Sequence, residues 1–301
     1  MNTIIKTENL GRDYGRVRAL DKVNLCIEKG RVVALLGPNG AGKTTFLRLL
    51  NGMLESTRGR SEILGVDSRN MPTAVVSRVG YMGDTEQPAG WSTISQLVGL
   101  QAGVSEKFDR SFIGQFLDKR ELGLKSSFGS LSKGQKKWVR AGLVLASRPD
   151  VLFLDEPAEG LDPSARVELY DQLRDYVNES DATAIAATHI IGDIERIADD
   201  VAIINHGKIV TYASLEDLRE EVREVELGAE EQLPDFGDGV EILGSKKIAD
   251  VQLVWLRCSQ GGQDELERVL GEGRTIRTVS LETFYLAMTE HNGNDKSVVK
   301  E

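Results

Sequence analysis

Gly37-Pro38-Asn39-Gly40-Ala41-Gly42-Lys43-Thr44 is the stretch that decides how the rest of this sequence is interpreted. Before it, residues 31–36 are almost wholly apolar, as in a strand buried on both faces. After it, residues 43–53 carry apolar side chains at helical spacing. Glycines in this position let the backbone curl so that its N–H groups point inward, and the helix start adds its dipole. Because the stretch lies between a strand pattern and a helix pattern, it predicts a phosphate-binding loop in preference to an ordinary glycine-rich turn.

The loop matches the pattern Gly-x-x-x-x-Gly-Lys-Thr, which binds the phosphates of a nucleotide. Lys43 would neutralise charge on the β- and γ-phosphates, and the Thr44 hydroxyl would reach Mg²⁺. The residues expected to bind nucleotide here are Gly37, Pro38, Asn39, Gly40, Ala41, Gly42, Lys43, Thr44 and Thr45.

Two carboxylates follow a second apolar run. Residues 151–154 read Val-Leu-Phe-Leu, and Asp155, Glu156 and Pro157 come next. A strand would bring Asp155 to the sheet edge to orient Mg²⁺, and Glu156 would polarise the attacking water as a general base. Alone, the pattern equally fits a buried strand that meets a solvated turn; the phosphate-loop pattern upstream favours the catalytic interpretation.

Residues 131–135, Leu-Ser-Lys-Gly-Gln, precede a predicted helix over 136–146. Ser132 can cap that helix, and a hydroxyl beside free N–H groups forms an anion site. By itself this pentapeptide is a common start for a capped helix.

Taken together, these motifs resemble the ABC ATPase family. The order is a phosphate loop, Leu-Ser-x-Gly-Gln, four apolar residues before Asp-Glu-Pro, then Gly160-Leu161-Asp162, and finally His189 after a strand. The resemblance covers about residues 1–211. It implies that the nucleotide is ATP with Mg²⁺, and that Tyr14 is the aromatic side chain that stacks on adenine.

The resemblance also implies a composite site. Such domains bind two ATP molecules between head-to-tail subunits, so a second ATPase subunit is expected, in a homodimer or a heterodimer. His189 would contact the γ-phosphate or the attacking water, and Asp162 would link the two sites. The residues expected to reach the nucleotide from the opposite subunit are Ser132, Gly134 and Gln135.

Two positions depart from the family's usual pattern. The family usually has Gln after the strand that reads 79–82, and counting from Tyr81 places Asp84 there. We expect Asp84 to contact the metal or its water. Lys133 replaces a glycine, and its side chain either adds positive charge near the opposing nucleotide or points to solvent.

Strand and helix patterns alternate along most of the chain, which predicts an α/β fold with a mostly parallel core sheet. The resemblance adds an antiparallel N-terminal β part and a helical insertion at about 87–140. Composition changes near Tyr212, so we expect an ATPase domain over 1–212 and a small α+β accessory domain over 213–301. Within the latter, residues 251–257, 264–270 and 275–279 suggest strand, helix and strand.

The composition restricts the class of function. Of 301 residues, 40% are hydrophobic, which allows a packed core, and no run approaches the roughly 18 apolar residues that cross a bilayer. The net charge of −10 disfavours nucleic acid as the main partner. Cys26 and Cys258 are interpreted as reduced, buried thiols.

These observations favour a subunit that powers a separate ABC permease from the cytoplasmic face of the membrane. The alternative, a soluble ATPase acting on ribosomes or nucleic acid, usually shows a long coiled-coil insertion or two ATPase domains in one chain. Residues 280–289 resemble the Ser-Leu-Glu-Asp-x-Phe-like ending of type-2 ABC exporters, which favours export. A plain amphipathic helix would also explain that segment.

Overall fold

In the computed structural model, the described residues are 3–85, 87–237, 239–259, 262–271 and 274–290. They form two compact units, Met1–Ile209 and Val210–Glu301. The strands are β1 Thr3–Tyr14, β2 Val17–Glu28, β3 Val32–Leu36, β4 Arg58–Ile63, β5 Val66–Asp67, β6 Val79–Met82, β7 Val151–Asp155, β8 Thr183–Thr188, β9 Asp200–Asn205, β10 Lys208–Ser214, β11 Val222–Gly228, β12 Val240–Ile248, β13 Val251–Cys258 and β14 Ile276–Thr278. The helices are α1 Lys43–Leu50, α2 Thr73–Val76, α3 Ile94–Val104, α4 Arg110–Asp118, α5 Lys133–Ala146, α6 Pro163–Ser180, α7 Ile191–Ile194, α8 Leu215–Glu221, α9 Gly262–Leu270 and α10 Leu281–Glu290.

A six-stranded sheet, in the order β10-β9-β3-β8-β7-β6, positions the site. β3 pairs in parallel with β8 and β9, and β7 pairs in parallel with β6 and β8. Every residue of β3, β7, β8 and β9 is buried, which explains their continuous apolar runs. The carboxyl ends of parallel strands lie along one edge of a sheet, so the residues after β3, β6, β7 and β8 meet there.

A second sheet, in the order β2-β1-β4-β5, is antiparallel throughout. Together with the mostly parallel core, it confirms the predicted α/β fold. β1 and β2 form a long hairpin in which Tyr14 pairs with Val17 next to the turn.

Three helices lie between β6 and β7 in the chain: α3, α4 and α5. The indole of Trp138 on α5 stacks on the ring of Phe116 on α4, with centroids 4.3 Å apart, and its N–H donates to the Phe116 carbonyl at 2.8 Å. Both side chains are fully buried. This contact fixes α5 against α4 and thereby fixes the N-terminus of α5, where Ser132 lies.

The second unit contains an antiparallel sheet in the order β12-β13-β11-β14. Its apolar core includes Val225, Val254 and Leu256, together with Leu266 of α9. Cys258 is buried in this core, and burial raises the pKa of its thiol. The expectation that both cysteines are buried is wrong for Cys26, which is exposed on β2 because its side chain alternates with the inward-facing Leu25 and Ile27.

Two predicted helix boundaries differ from the structure. The sequence also predicts a helix over 191–198, but α7 ends at Ile194 and the chain continues as a turn, in which the N–H groups of Ile197 and Ala198 share the Ile194 carbonyl. α5 begins at Lys133 instead of residue 136, because Ser132 caps it. None of the helices in the described part of the chain is long and apolar enough to cross a lipid bilayer.

Candidate functional site

The loop after β3 needs its glycines. Gly40 and Gly42 have φ of 80° and 110°, in the left-handed region that other residues rarely adopt. A Cβ atom on Gly42 would lie 2.7 Å from the Ala19 carbonyl oxygen, and one on Gly37 would lie 2.4 Å from that of Ile204. The backbone can therefore curl tightly into α1 only with glycine at these positions.

Lys43, the first residue of α1, turns back into the loop. Its ammonium donates to the carbonyl oxygens of Gly37 at 2.6 Å and Pro38 at 3.4 Å, and lies 3.8 Å from Glu156 Oε1. The side chain is buried, and that burial lowers the pKa of Lys43, an effect that the negative charge of Glu156 opposes. A cation is therefore held inside the loop at the start of α1, where it can act on a phosphate together with the helix N-terminus.

Thr44 and Asp155, two of the residues expected to bind Mg²⁺, are in contact. The Thr44 hydroxyl donates to Asp155 Oδ2 at 2.6 Å, joining the start of α1 to the end of β7. Burial raises the pKa of the Asp155 carboxyl, and the hydrogen bond from Thr44 opposes the shift. Adjacent hydroxyl and carboxylate oxygens suit Mg²⁺, which binds through one or two carboxylates together with substrate phosphates. Among the described side chains, no group of three or more His, Cys, Asp and Glu residues could hold a metal by itself.

Glu156 and His189, the two predicted catalytic residues, are in contact. Nδ1 of His189 lies 2.9 Å from Glu156 Oε2, and the His189 backbone N–H donates to the same oxygen at 3.4 Å. Glu156 has φ of 49°, an uncommon conformation for a residue other than glycine, and its N–H donates to the Ala187 carbonyl at 2.8 Å. The turn after β7 thus aims the Glu156 carboxylate toward the end of β8.

A cleft of about 390 Å³ collects these groups. Asp84, which follows β6, reaches it from the other side and accepts a hydrogen bond from the Lys137 ammonium at 2.9 Å. The lining residues are Ala19, Pro38, Asn39, Gly40, Gly42, Lys43, Thr44, Thr45, Asp84, Asp155, Glu156, Glu159 and His189.

The Leu-Ser-Lys-Gly-Gln segment lies at a different cleft of the same chain. Ser132 caps α5: the N–H of Gln135 donates to its hydroxyl at 3.2 Å, and its own N–H donates to Gln135 Oε1 at 3.0 Å. Asp162 caps α6 without a reciprocal bond: it accepts a hydrogen bond from the Ala165 N–H at 2.9 Å, which holds the pKa of the Asp162 carboxyl below its ordinary value. Ser132, Gly134, Gln135 and Asp162 all line this second cleft of about 540 Å³.

Lys133, whose direction the sequence leaves open, pairs with Glu159. Its ammonium lies 2.8 Å from Glu159 Oε1, and Glu159 lines the first cleft while Lys133 lines the second. The ion pair therefore crosses the ridge between the two clefts.

Tyr14 is not among the residues that line the first cleft. It ends β1 with 46% of its surface exposed, and the Arg12 guanidinium lies 4.8 Å from the ring centroid. The ring is thus presented at the tip of the β1–β2 hairpin, the turn that precedes Ala19 of the cleft lining.

Sequence reasoning missed Lys137. This residue of α5 is only 3% exposed, yet its ammonium contacts Asp84 and donates to the Glu156 carbonyl at 2.6 Å. A lysine inside an amphipathic helix is normally a solvated charge, and no local pattern distinguishes this one.

Comparisons with known proteins now place this geometry in a family. The family model described as ABC transporter matches residues 20–159. The bacitracin transport ATP-binding protein BcrA of Bacillus licheniformis is 30% identical over 249 residues, which cover 81% of this chain and 79% of that protein. The chain belongs to the ABC transporter family. The lantibiotic transport ATP-binding protein SrtF of Streptococcus pyogenes is 33% identical over 72% of this chain and 95% of its own length.

A solved structure of this family agrees with the fold. The ATP-binding subunit of an ABC transporter superposes with a TM-score of 0.65 at 26% identity, over 72% of this chain and 92% of that one. This ABC chain is accordingly an ATP-binding subunit that hydrolyses ATP to drive transport through a membrane permease.

Proposed function

We propose that two ABC subunits close head to tail around two ATP·Mg²⁺ units, and that this closure drives an export permease. The observation that carries the proposal is the separation of the site into two clefts. One cleft holds Lys43, Thr44, Asp155, Glu156 and His189, and the other holds Ser132 and Gly134. A nucleotide in the first cleft of one subunit would be completed by the second cleft of its partner.

Within one subunit, the proposed roles follow from the contacts. Lys43 and the loop N–H groups bind the β- and γ-phosphates, and the loop residues Gly37 to Thr45 surround them. Thr44 and Asp155 would hold Mg²⁺, which would neutralise charge on the phosphate oxygens. Asp84 lines the same cleft, which supports a contact with the metal or its water. Tyr14 would stack on adenine when the hairpin tip meets the nucleotide.

Hydrolysis requires a base and a group that holds the γ-phosphate. Glu156 is proposed as the base that polarises water, and its contact with His189 supports a role for the imidazole at the γ-phosphate or at that water. From the partner, the N-terminus of α5 with Ser132, Gly134 and Gln135 would supply hydroxyl and N–H donors to the phosphate. Asp162 would link the two sites across the dimer.

The permease would hold the subunit at the cytoplasmic face of the membrane. The relatives' names, bacitracin transport and lantibiotic transport, support a transporter. The resemblance of residues 280–289 to exporter ATPases supports export, and in the structure Ser280 caps this segment by accepting the Thr283 N–H at 3.2 Å. The domain boundary near residue 212 remains a prediction. No nucleic acid partner is expected, given the net charge of −10.

The proposal is tested by recovering tagged protein from detergent-solubilised native membranes and identifying its partners by mass spectrometry. A stoichiometric protein with many membrane spans is expected, and ATP hydrolysis of the recovered complex should require Mg²⁺. Recovery only with ribosomes or DNA-bound proteins would contradict the transport proposal.

A further inference from the structure

The first cleft carries a large excess of negative charge. Asp84, Asp155, Glu156 and Glu159 all line it, whereas Lys43 is the lysine in its lining. Carboxylates that have no cation beside them repel one another and repel a bound polyanion, so each of them weakens nucleotide binding at this cleft. Glu159 is paired with Lys133, and Thr44 donates to Asp155. A cation paired with Asp84 would further reduce the negative charge of the cleft.

That partner is Lys137, which lies behind the cleft wall. Its side chain is 3% exposed, and its ammonium donates to Asp84 Oδ1 at 2.9 Å and to the Glu156 carbonyl at 2.6 Å. A buried ammonium must keep its hydrogen-bond acceptors, since removing one partner leaves an uncompensated charge in a dry site. The loop after β6 and the turn after β7 are therefore tied to one atom of α5.

The hydrogen bond from Lys137 stabilises the unusual backbone conformation of Glu156. At φ of 49°, the residue occupies a conformation that persists only when surrounding contacts determine it. Its N–H is bound by the Ala187 carbonyl, and its own carbonyl is bound by Lys137. The peptide groups on both sides of the Glu156 side chain are thus anchored, and the carboxylate is aimed by that backbone.

We propose that Lys137 is a positioning residue for ATP hydrolysis: it compensates the charge of Asp84 and fixes the backbone of Glu156, so that the carboxylate reaches the attacking water. Lys137 lies five residues after Ser132 on α5, so the same helix that offers Ser132 to a partner's nucleotide also holds the base of its own site. This inference rests on the proposed roles of Glu156 and Ser132.

The test compares the wild type, Asp84→Gln, Lys137→Gln and the double variant. Each single variant leaves one unpaired charge, so we expect kcat for ATP hydrolysis to fall about tenfold or more, with KM for ATP changed less than about threefold. The double variant removes both charges, and the amide oxygen introduced at position 84 can still reach the metal or its water, so it should recover most of the lost kcat. ATP affinity by calorimetry and the thermal midpoint are measured on the same proteins, because a purely structural role would move the midpoint without this kcat pattern.

The matched control is Lys136→Gln, the same change at the next residue of α5, where the ammonium lies 6.0 Å from the Phe128 ring centroid. Wild-type activity is expected for it. Unchanged kcat in both single variants, or a double variant as slow as the product of the single effects, would overturn the inference while leaving the ATPase assignment intact. If Lys137→Gln alone does not fold, kcat of Asp84→Gln is compared with kcat of the double variant, and a higher kcat in the double variant supports the inference. A wild type that binds no ATP would contradict the proposed function instead.

Discussion

At the scale of single residues, the proposed role of Glu156 as general base can be removed by a substitution that keeps the size and shape of the side chain. Glu156→Gln is nearly isosteric but cannot accept a proton, so kcat should fall about 10²- to 10⁴-fold, as is typical for loss of a general base. Phosphate release measures the rate, and calorimetry should show ATP affinity retained. Hydrolysis at the wild-type rate would contradict the assignment of Glu156 as the base.

Lys43 tests the phosphate loop itself. Lys43→Ala removes the cation that bonds the Gly37 carbonyl at 2.6 Å and that would face the β- and γ-phosphates, so ATP binding by calorimetry should be lost. Lys107→Ala is a suitable control, because Lys107 is an exposed lysine 3.6 Å from Asp150. Unchanged ATP affinity in Lys43→Ala would refute the role of the loop lysine.

At the scale of helices and strands, two capping boxes in one chain allow stability and function to be separated. Ser132 with Gln135 caps α5, and Thr93 with Gln96 caps α3 by the same pair of hydrogen bonds. Ser132→Ala and Thr93→Ala should each lower the free energy of unfolding by about 1 kcal/mol, measured by denaturant titration.

Only Ser132→Ala should also reduce ATP hydrolysis, because only the α5 cap is proposed to face a partner's nucleotide. Equal losses of activity in both variants would show that Ser132 acts through stability alone.

Sequence patterns predict the parts of the site that lie within single strand–loop–helix segments. The phosphate loop, the carboxylates after β7 and the Ser132 cap each depend on local spacing, so their places in the structure could be anticipated. The pairs Lys137–Asp84 and Lys133–Glu159 join residues 53 and 26 positions apart, and no periodicity encodes which distant side chains meet. The predicted boundaries of α5 and α7 differ from the structure by a few residues, because the end of a helix depends on a few local hydrogen bonds that apolar spacing does not reveal.

At the scale of the whole molecule, the two clefts predict an ATP-dependent change in mass. Glu156→Gln with ATP should run as a dimer, at twice the 33.0 kDa of one chain, because ATP bridges the clefts and is not hydrolysed. Light scattering coupled to gel filtration measures this mass. Lys43→Ala serves as the control that should stay monomeric with ATP, and a monomeric Glu156→Gln protein saturated with ATP would contradict the head-to-tail arrangement.

The two cysteines offer a use unrelated to nucleotide chemistry. Cys26 is exposed in the first unit, whereas Cys258 lies within the apolar core of the second. A thiol reagent should therefore modify Cys26 at once and reach Cys258 only when the second unit opens. In a Cys26→Ser protein, the rate of Cys258 alkylation therefore measures how often the C-terminal unit opens. The same rate can be measured in the complex with the permease during transport.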